Sequence, residues 1–158
     1  MLIESTLIDG EIDKVAVAIQ RIKEHEPPEG YYVAFSGGKD SSVVLDLVKK
    51  AGVKYDAHYN VTTLDPPELV YFIKKYHPDA WENREKAQKT MWQLIEENYV
   101  PPTRIMRYCC RWLKESKGLG RTVVTGVRAK ESRNRAKRKY YEPAGKNGKA
   151  YLNPIIDW

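Results

Sequence analysis

The run Tyr31-Tyr32-Val33-Ala34-Phe35, followed at once by Ser36-Gly37-Gly38-Lys39-Asp40-Ser41-Ser42, constrains this chain more than any other part of it. The apolar run reads as a strand. Just beyond it, Val44, Leu45, Leu47 and Val48 recur on one face of a helix beginning near Ser41, so the intervening loop must turn strand into helix. Its glycine pair permits a tight turn and a close backbone approach to a ligand. The first helical turn then offers unpaired N–H groups and the positive end of the dipole to an anion. Lys39 and the hydroxyls of Ser36, Ser41 and Ser42 add charge and donors. An ordinary Ser/Gly turn would need only a cap from Asp40 or Ser41, whereas a Gly pair, a lysine and a cap at one junction suit a phosphate. The Walker pattern differs, because Lys39 directly follows the glycine pair here and Asp40 follows it.

Hydrophobic periodicity lays out alternating helices and strands around this junction. Ile12, Val15, Ile19 and Ile22 predict a helix ending before Glu26-Pro27-Pro28-Glu29-Gly30, and Lys49-Lys50 with Ala51-Gly52 closes the helix after the loop. Tyr55, Ala57, Tyr59 and Val61 alternate as a second strand. Thr62 to Glu68 then leads into a helix with Asp65 as cap, Pro66 in its first position, and Leu69, Val70, Phe72 and Ile73 as its buried face. His77-Pro78 stops that helix, and a short strand is expected around Ala80-Trp81-Glu82. Met91, Leu94 and Ile95 mark a helix ended by Pro101-Pro102, Cys109 and Cys110 fall on a short helix before Gly118-Leu119-Gly120, and Thr122-Val123-Val124-Thr125 is a β-branched strand. Such alternation builds an α/β fold on a parallel sheet with right-handed crossovers, whose ligands sit at the carboxyl ends of the strands. The Ser36 loop, the Thr62 to Glu68 loop and Gly126-Val127-Arg128 all follow strands and are expected to converge there.

The 158 residues suit one domain, 1–158, and their 42% hydrophobic and 30% charged content fits a soluble globular chain without a membrane partner. The start Met1-Leu2-Ile3-Glu4-Ser5 lacks the basic opening and apolar stretch of a secretion signal, so a cytoplasmic location is expected. Lys and Arg number 27 against 21 Asp and Glu, and the excess is concentrated between Arg128 and Lys139, which points to an anionic partner. Within that run Arg128 reads as a ligand residue, and Arg135, Lys137, Arg138 and Lys139 as a solvated, mobile loop. Cys109 and Cys110 are the only cysteines, and neighbours in sequence make no structural staple. Arg107, Arg111 and Lys114 surround them and would lower a thiol pKa, although either cysteine could equally serve as a small buried apolar residue. His25, His58 and His77 spell no metal site; His58 suits a hydrogen-bonded sheet position and His77 a helix end. Trp81, Trp92 and Trp112 read as core or sheet-covering residues.

The loop matches the pattern S-G-G-x-D-S, and further segments fall in line with it: Asn60-Val61-Thr62-Thr63 through Pro66-Pro67-Glu68, Arg107-Tyr108-Cys109-Cys110 with Lys114, and Gly126-Val127-Arg128-Ala129-Lys130-Glu131-Ser132. In order and spacing they resemble the phosphoadenosine phosphosulfate (PAPS) reductase family, within the adenine nucleotide α-hydrolase-like superfamily that includes the N-type ATP pyrophosphatases. The resemblance implies a Rossmann-like, three-layer α/β/α domain with a roughly five-stranded parallel sheet. It also implies that Ser36, Gly37, Gly38, Lys39, Asp40, Ser41 and Ser42 hold a phosphate or phosphosulfate, and that Asn60, Thr62, Thr63 and Asp65 border adenine and ribose. Gly126, Arg128 and Arg133 would meet further phosphate or sulfate oxygens, for which guanidinium forks are suited. The ending Asn153-Pro154-Ile155-Ile156-Asp157-Trp158 resembles the strand that follows in the family. Two departures matter. Thioredoxin-dependent members carry their nucleophilic cysteine in a C-terminal Glu-Cys-Gly-containing segment that this chain does not reach. The iron-sulfur branch pairs an adjacent Cys-Cys with a later Cys-x-x-Cys, of which only the first half is present, so a four-iron cluster is not expected within this chain alone. Cys109, Cys110 and Lys39 are left as the catalytic candidates.

Three functions are open to such a chain. The first is an enzyme that binds PAPS, or its analogue without the 3′-phosphate, and transfers or reduces the sulfur group, with a thiol reductant protein as partner. The second is an N-type ATP pyrophosphatase that adenylylates a substrate for thiolation or for nucleic-acid sulfur modification. Asp40 or Asp65 would then help to hold Mg²⁺, and the basic loop would lie on nucleic-acid phosphates. The third is a non-catalytic nucleotide-binding subunit, for which a homo-oligomer or a larger assembly is the natural setting.

Overall fold

The computed structural model of the chain describes residues 3–6, 10–145 and 148–158. Met1 and Leu2, which carry part of the N-terminal reading, lie outside the described residues. Strands β1 (Ile3–Thr6) and β2 (Gly10–Asp13) pair antiparallel. Ile12, expected on the first helix, therefore lies in β2. Helix α1 (Lys14–Glu24) starts two residues later because the Asp13 side chain accepts from the Val15 N–H at 3.0 Å and caps it there. Strand β3 (Tyr31–Phe35) has four of its five residues buried, the pattern of a parallel strand covered on both faces. Helix α2 (Lys39–Ala51) buries Val44, Leu45, Leu47 and Val48 and ends at Gly52, whose φ of 71° lets its N–H reach back to the Lys49 carbonyl. Strand β4 (Tyr55–Tyr59) pairs parallel with β3, and beyond it Asn60 bridges to Glu85, so Val61 lies past the strand.

Helix α3 (Pro67–Tyr76) begins one residue later than expected, with Pro66 at its cap position. Ile73 is fully buried, whereas Phe72 is 38% exposed, so the buried face is narrower than its periodicity implied. Ala80, Trp81 and Glu82 form no strand. They belong to α4 (Pro78–Glu82), because Pro78 at the first helical position fixes the φ that a helix start requires. Helices α5 (Met91–Asn98) and α6 (Tyr108–Leu113) make an arm held by a small cluster of Met91, Leu94 and Leu113. Trp81 packs half-buried on the main core, but Trp92 is 70% exposed and Trp112 also faces solvent, contrary to the sheet-covering expectation.

Strand β5 (Thr122–Val124), β6 (Tyr141–Glu142) and β7 (Ala150–Leu152) complete a five-stranded sheet of order β4-β3-β5-β7-β6. All of its pairings are parallel except β6 with β7, so the edge is antiparallel. Residues 153–158, expected as a strand, follow β7 as turns, with the Ile156 N–H on the Asn153 carbonyl and the Trp158 N–H on the Ile155 carbonyl. The main core lies between the sheet and α1 to α4, where Val33, Phe35, Val44, Ile73 and Leu152 are all buried. Tyr31 donates its hydroxyl to the Ile22 carbonyl at 2.7 Å and so ties α1 to β3. Alternate strand residues point the other way, and there Gly118 comes down on Tyr32 and Val123. Among the described residues no helix is long and apolar enough to cross a membrane.

Arg121, just before β5, fastens the amino-terminal end of the sheet. Its guanidinium donates to both Asp56 oxygens, at 2.7 and 2.6 Å, and to the Gly30 carbonyl at 2.9 Å. Burial pushes the Asp56 carboxyl up, but the hydrogen bonds and charges of Arg121 and His58 outweigh it and hold the carboxyl below its ordinary value. Because the folded pKa is depressed, this contribution is present above the ordinary value of 3.8 and is lost as pH falls through the lower folded value. Asp56→Asn should therefore lower the urea midpoint at pH 7 and flatten the acid limb of stability below about pH 4; an acid limb as steep as in the parent would refute this.

Candidate functional site

The Ser36 to Ser42 loop is built from its own side chains. The Ser41 hydroxyl donates to the Gly38 carbonyl at 2.8 Å, and Ser36 approaches the same hydroxyl through its N–H at 3.3 Å and its own hydroxyl at 3.2 Å. Ser42 adds its N–H and hydroxyl to Gly38 O at 3.0 and 3.1 Å. These serines thus shape the loop, and Ser41 is buried. Gly38 occupies the cap position of α2 with no side-chain cap, and the N–H groups of Gly38, Lys39, Asp40 and Ser41 donate to no acceptor among the described residues. An uncapped start of a thirteen-residue helix is what an anion requires. Lys39 is exposed at that end.

Two neighbouring segments press on the loop. Gly37 has φ of 73°, and a Cβ there would stand 2.6 Å from Leu69 Cδ1 and 3.0 Å from Ile73 Cδ1 of α3. At Gly126 a Cβ would stand 3.0 Å from the Asp40 backbone. The expected convergence of the three loops thus has a steric basis, as only glycine permits either approach. Arg128 follows, and its guanidinium pairs with Asp40 at 3.2 Å and Glu131 at 3.6 Å. Expected as a ligand residue, Arg128 here clamps its own segment to the loop, while its buried Nε, 3.6 Å from Glu131, makes no hydrogen bond among the described residues.

From Ser36 a cavity of about 680 Å³ runs along the open sheet face. Tyr32, Ala34, Val123, Thr125 and Tyr151 lie along it, α6 and the residues after it bound one side, and Asn134, Arg135 and Arg138 bound the other. Register places Lys149 six residues from the Ser36 level, about 20 Å of strand at about 3.3 Å per residue, so the cavity spans the sheet rather than its carboxyl edge alone. Its volume is that of a site for a nucleotide-sized ligand.

Of the residues singled out in the sequence, Ser36, Asn60, Thr62, Asp65 and Cys110 line this cavity. Gly37, Gly38, Lys39, Asp40, Ser41, Ser42, Thr63, Cys109, Gly126, Arg128 and Arg133 do not. Asp65, expected to cap α3, instead accepts at one oxygen from the Tyr59 hydroxyl at 2.7 Å, the Thr62 N–H at 3.1 Å and the Thr62 hydroxyl at 2.7 Å, which shapes the bend after β4. Thr63, at φ of 65°, accepts from the Met91 N–H at 3.0 Å and moors the same bend to α5. Arg133 is exposed, and the arginines facing the cavity are its neighbours Arg135 and Arg138. These are ordered by their partners: Arg135 pairs with Glu131, and Arg138 pairs with Glu142 at 2.9 Å and stacks over Tyr151 at 4.9 Å. Arg135 is exposed, as the solvated reading expects, whereas Arg138 is half-buried in the cavity wall.

Sequence reasoning missed Tyr32, Thr125, Tyr151 and Lys149. The first three lie on the alternate positions of strands, a period-two signal hidden where both faces are apolar; nothing local marks Lys149. That lysine is 4% exposed, its ammonium donates to the Glu115 carbonyl, and burial pushes its pKa down.

Six cations line the cavity: Arg107, Lys114, Lys117, Arg135, Arg138 and Lys149. Glu85, Glu131 and Glu142 pair with Lys117, Arg135 and Arg138. Among the described residues no carboxylate comes within ion-pair distance of Arg107, Lys114 or Lys149, although the charge of Glu115, in the same cavity wall, acts on Arg107 and Lys149; the cations without a close ion pair thus stand on the α6 side. Cys110 stands there, with Arg107 Nη2 at 3.5 Å from its sulfur and the Cys109 sulfur at 4.0 Å. Cys109 packs against the Met91, Leu94 and Leu113 cluster, and burial, then the neighbouring Cys110, pushes its thiol up; the expected activation by nearby cations is not what governs it.

The residues present do not fit the metal groups that the fold suggests. A four-iron cluster needs four thiolates and this chain has two. Asp40 pairs with Arg128 and Asp65 takes its three protein hydrogen bonds, each through its Oδ2, so only the Oδ1 of each is left for a Mg²⁺ ion. Among the described residues no group of three or more His, Cys, Asp or Glu stands together.

A mostly parallel sheet, an uncapped Ser-Gly-Gly loop at its carboxyl edge and a basic cavity beside it define the adenine nucleotide α-hydrolase-like class. Within it, the chain belongs to the phosphoadenosine phosphosulfate reductase family, whose domain model matches residues 30–158. Membership ties it to sulfonucleotide-related chemistry at the level of the family. It is also similar to an uncharacterized protein of Methanocaldococcus jannaschii, 31% identical over 136 residues covering 79% of this chain, and it spans 32% of that relative's length.

Two glycines separate strain from crowding at the loop. Gly37 and Gly52 share nearly the same φ, 73° and 71°, but nothing lies within 4 Å of a Cβ at Gly52. Gly52→Ala should cost about 1–2 kcal/mol from backbone strain alone, and Gly37→Ala clearly more. Equal losses in urea unfolding would mean that the contact with α3 does not hold the loop.

Proposed function

We propose that the chain is a single adenine-nucleotide-binding domain that takes a sulfonucleotide, PAPS or its analogue without the 3′-phosphate, and passes the sulfuryl group to Cys110. One observation carries this reading: the thiol in the wall of the phosphate-loop cavity is Cys110, and three cations with no carboxylate at ion-pair distance among the described residues, Arg107, Lys114 and Lys149, stand on its side together with the single carboxylate of Glu115. The loop N–H groups from Gly38 to Ser41, with Lys39, would receive the phosphate end, and Asn60 and Thr62 would border the nucleoside. Arg128 would act by fixing Asp40 and the loop rather than by touching the nucleotide.

In the transfer step the Cys110 thiolate attacks the sulfuryl sulfur. A sulfur–sulfur bond forms, the sulfur–oxygen bond to the nucleotide phosphate breaks, and the adenosine phosphate leaves with the electron pair. Arg107, whose Nη2 donates to the Cys110 sulfur at 3.5 Å, offsets the charge of the incoming sulfonate. A dithiol reductant protein would then return the enzyme to its thiol form. The ATP pyrophosphatase reading has less support, because both carboxylates it needs for Mg²⁺ are engaged by protein donors.

Isothermal titration with PAPS, the analogue without the 3′-phosphate, ATP and AMP tests the reading. A sulfonucleotide should bind at least about tenfold tighter than ATP, a difference of about 1.4 kcal/mol. Tight ATP binding with no response to either sulfonucleotide, or pyrophosphate release from ATP, would overturn it.

A further inference from the structure

Cys109 and Cys110 are chemically unequal although they adjoin. Cys110 lines the cavity beside Arg107, whereas Cys109 is turned into the small apolar cluster that joins α5 to α6, and their sulfurs are 4.0 Å apart. One thiol thus meets whatever enters the cavity while the other stands behind it, screened from the ligand but within reach of its neighbour's sulfur.

Resting on the sulfonucleotide reading above, we propose that Cys109 is the resolving thiol of this site: it attacks Cys110 after sulfuryl transfer and releases sulfite by forming a disulfide between the two adjacent cysteines. The Cys109 sulfur attacks the Cys110 sulfur, not the sulfonate. The bond from Cys110 to the sulfonate breaks, sulfite departs with the electron pair, and the Cys109 proton passes to solvent. The sulfonate sulfur gains two electrons, and the two thiols lose them in becoming a disulfide. A dithiol reductant then restores both thiols, so it meets a protein disulfide rather than a sulfonated cysteine inside the cavity.

The local structure suits such a step. The sulfurs must close from 4.0 Å to about 2.05 Å, which the first turn of α6 must open to allow. That helix has six residues and no side-chain cap at Arg107; the Cys110 N–H and Arg111 N–H donate to the Arg107 carbonyl at 3.1 and 3.3 Å, and the Cys110 carbonyl accepts from the Lys114 and Glu115 N–H groups at 3.0 and 2.9 Å. Opening it is confined to one short, uncapped helix. A disulfide between neighbours is strained and therefore readily reduced, as a turnover intermediate must be. Cys109, packed on the α5–α6 cluster and absent from the cavity lining, is not the thiol that meets the ligand first.

Trypsin cleavage after Arg107 and Arg111 puts both cysteines on one peptide, Tyr108 to Arg111. The full chain is mixed with one equivalent of the sulfonucleotide it binds, without added thiol, then digested for mass spectrometry while free sulfite is measured. The parent should release close to one equivalent of sulfite, and its peptide should be lighter by two hydrogens. Cys109→Ser should release none and carry one added sulfonate on Cys110, with sulfite appearing once dithiothreitol is added. A parent that keeps a stable sulfonate and releases no sulfite until thiol is added overturns the resolving role of Cys109 and leaves the proposed function standing. Absence of both sulfonate and sulfite in parent and Cys109→Ser, each verified as folded by circular dichroism, overturns the proposed function itself.

Discussion

The site depends on how closely main chain can approach main chain at Gly37 and Gly126. At Gly37 the loop turns with a positive φ against Leu69 and Ile73, and at Gly126 the chain leaving β5 passes the Asp40 backbone so closely that a Cβ would stand 3.0 Å from it and force the backbone to give. The Arg128 to Asp40 pair locks the second approach. These contacts draw the ends of β3 and β5 and the start of α3 into one wall and leave the first N–H groups of α2 without protein acceptors. A capping side chain at Gly38 would satisfy those groups and remove the reason for an anion to bind.

Charge is arranged by compensation as much as by number. Arg135 and Arg138 belong to the most basic run of the chain, yet Glu131 and Glu142 neutralise them, and the stack on Tyr151 fixes Arg138 as part of the cavity wall. Arg107, Lys114 and Lys149 have no carboxylate at ion-pair distance among the described residues, only the more distant Glu115 acting on the first and last, and Lys149 bears a charge that burial disfavours. An anion lying between them relieves that cost, whereas a neutral ligand does not. The attractive end for a polyanion is thus the α6 side, where Cys110 stands.

Most of the fold could be read from the residues because its central elements are strongly periodic. Tyr31 to Phe35, Val44 to Val48 and Tyr55 to Tyr59 fell where expected, and the loop between the first two is local chemistry. What misled was information that is not local. Trp81 looks like strand until Pro78 starts a helix beneath it, and residues 153–158 are apolar enough for a strand although their backbone turns instead. Asp65 has the position of a cap, but Tyr59 and Thr62 reach it first. Arg128 reads as a ligand residue because its partner Asp40 is 88 positions away. Tyr32 reads only as part of an apolar strand and Tyr151 carries no signal, since period-two alternation does not say which face of a buried sheet carries a cavity. Lys149 lies in no motif, and only the register of β7 against β5 and β3 brings it onto that face.

The two halves of the site differ in what holds them. The phosphate-loop half is anchored in the main core, with Val33, Phe35, Val44 and Ile73 buried immediately behind it, so its N–H groups have little freedom to move. The thiol half is carried by α6, whose own buried cluster is Met91, Leu94 and Leu113, and it is tied to the rest mainly by polar contacts: Met91 to Thr63, Lys114 to Asn60, Lys117 to Glu85 and Glu115 to Lys149. Segments with few buried contacts open at the lowest free energy. A rigid half can hold a nucleotide in one place while the looser half brings a sulfur to it and then lets that sulfur meet its neighbour. If both cysteines lay on the main core, the 4.0 Å between their sulfurs could close only at the expense of the sheet; on α6 the expense falls on a single turn of helix.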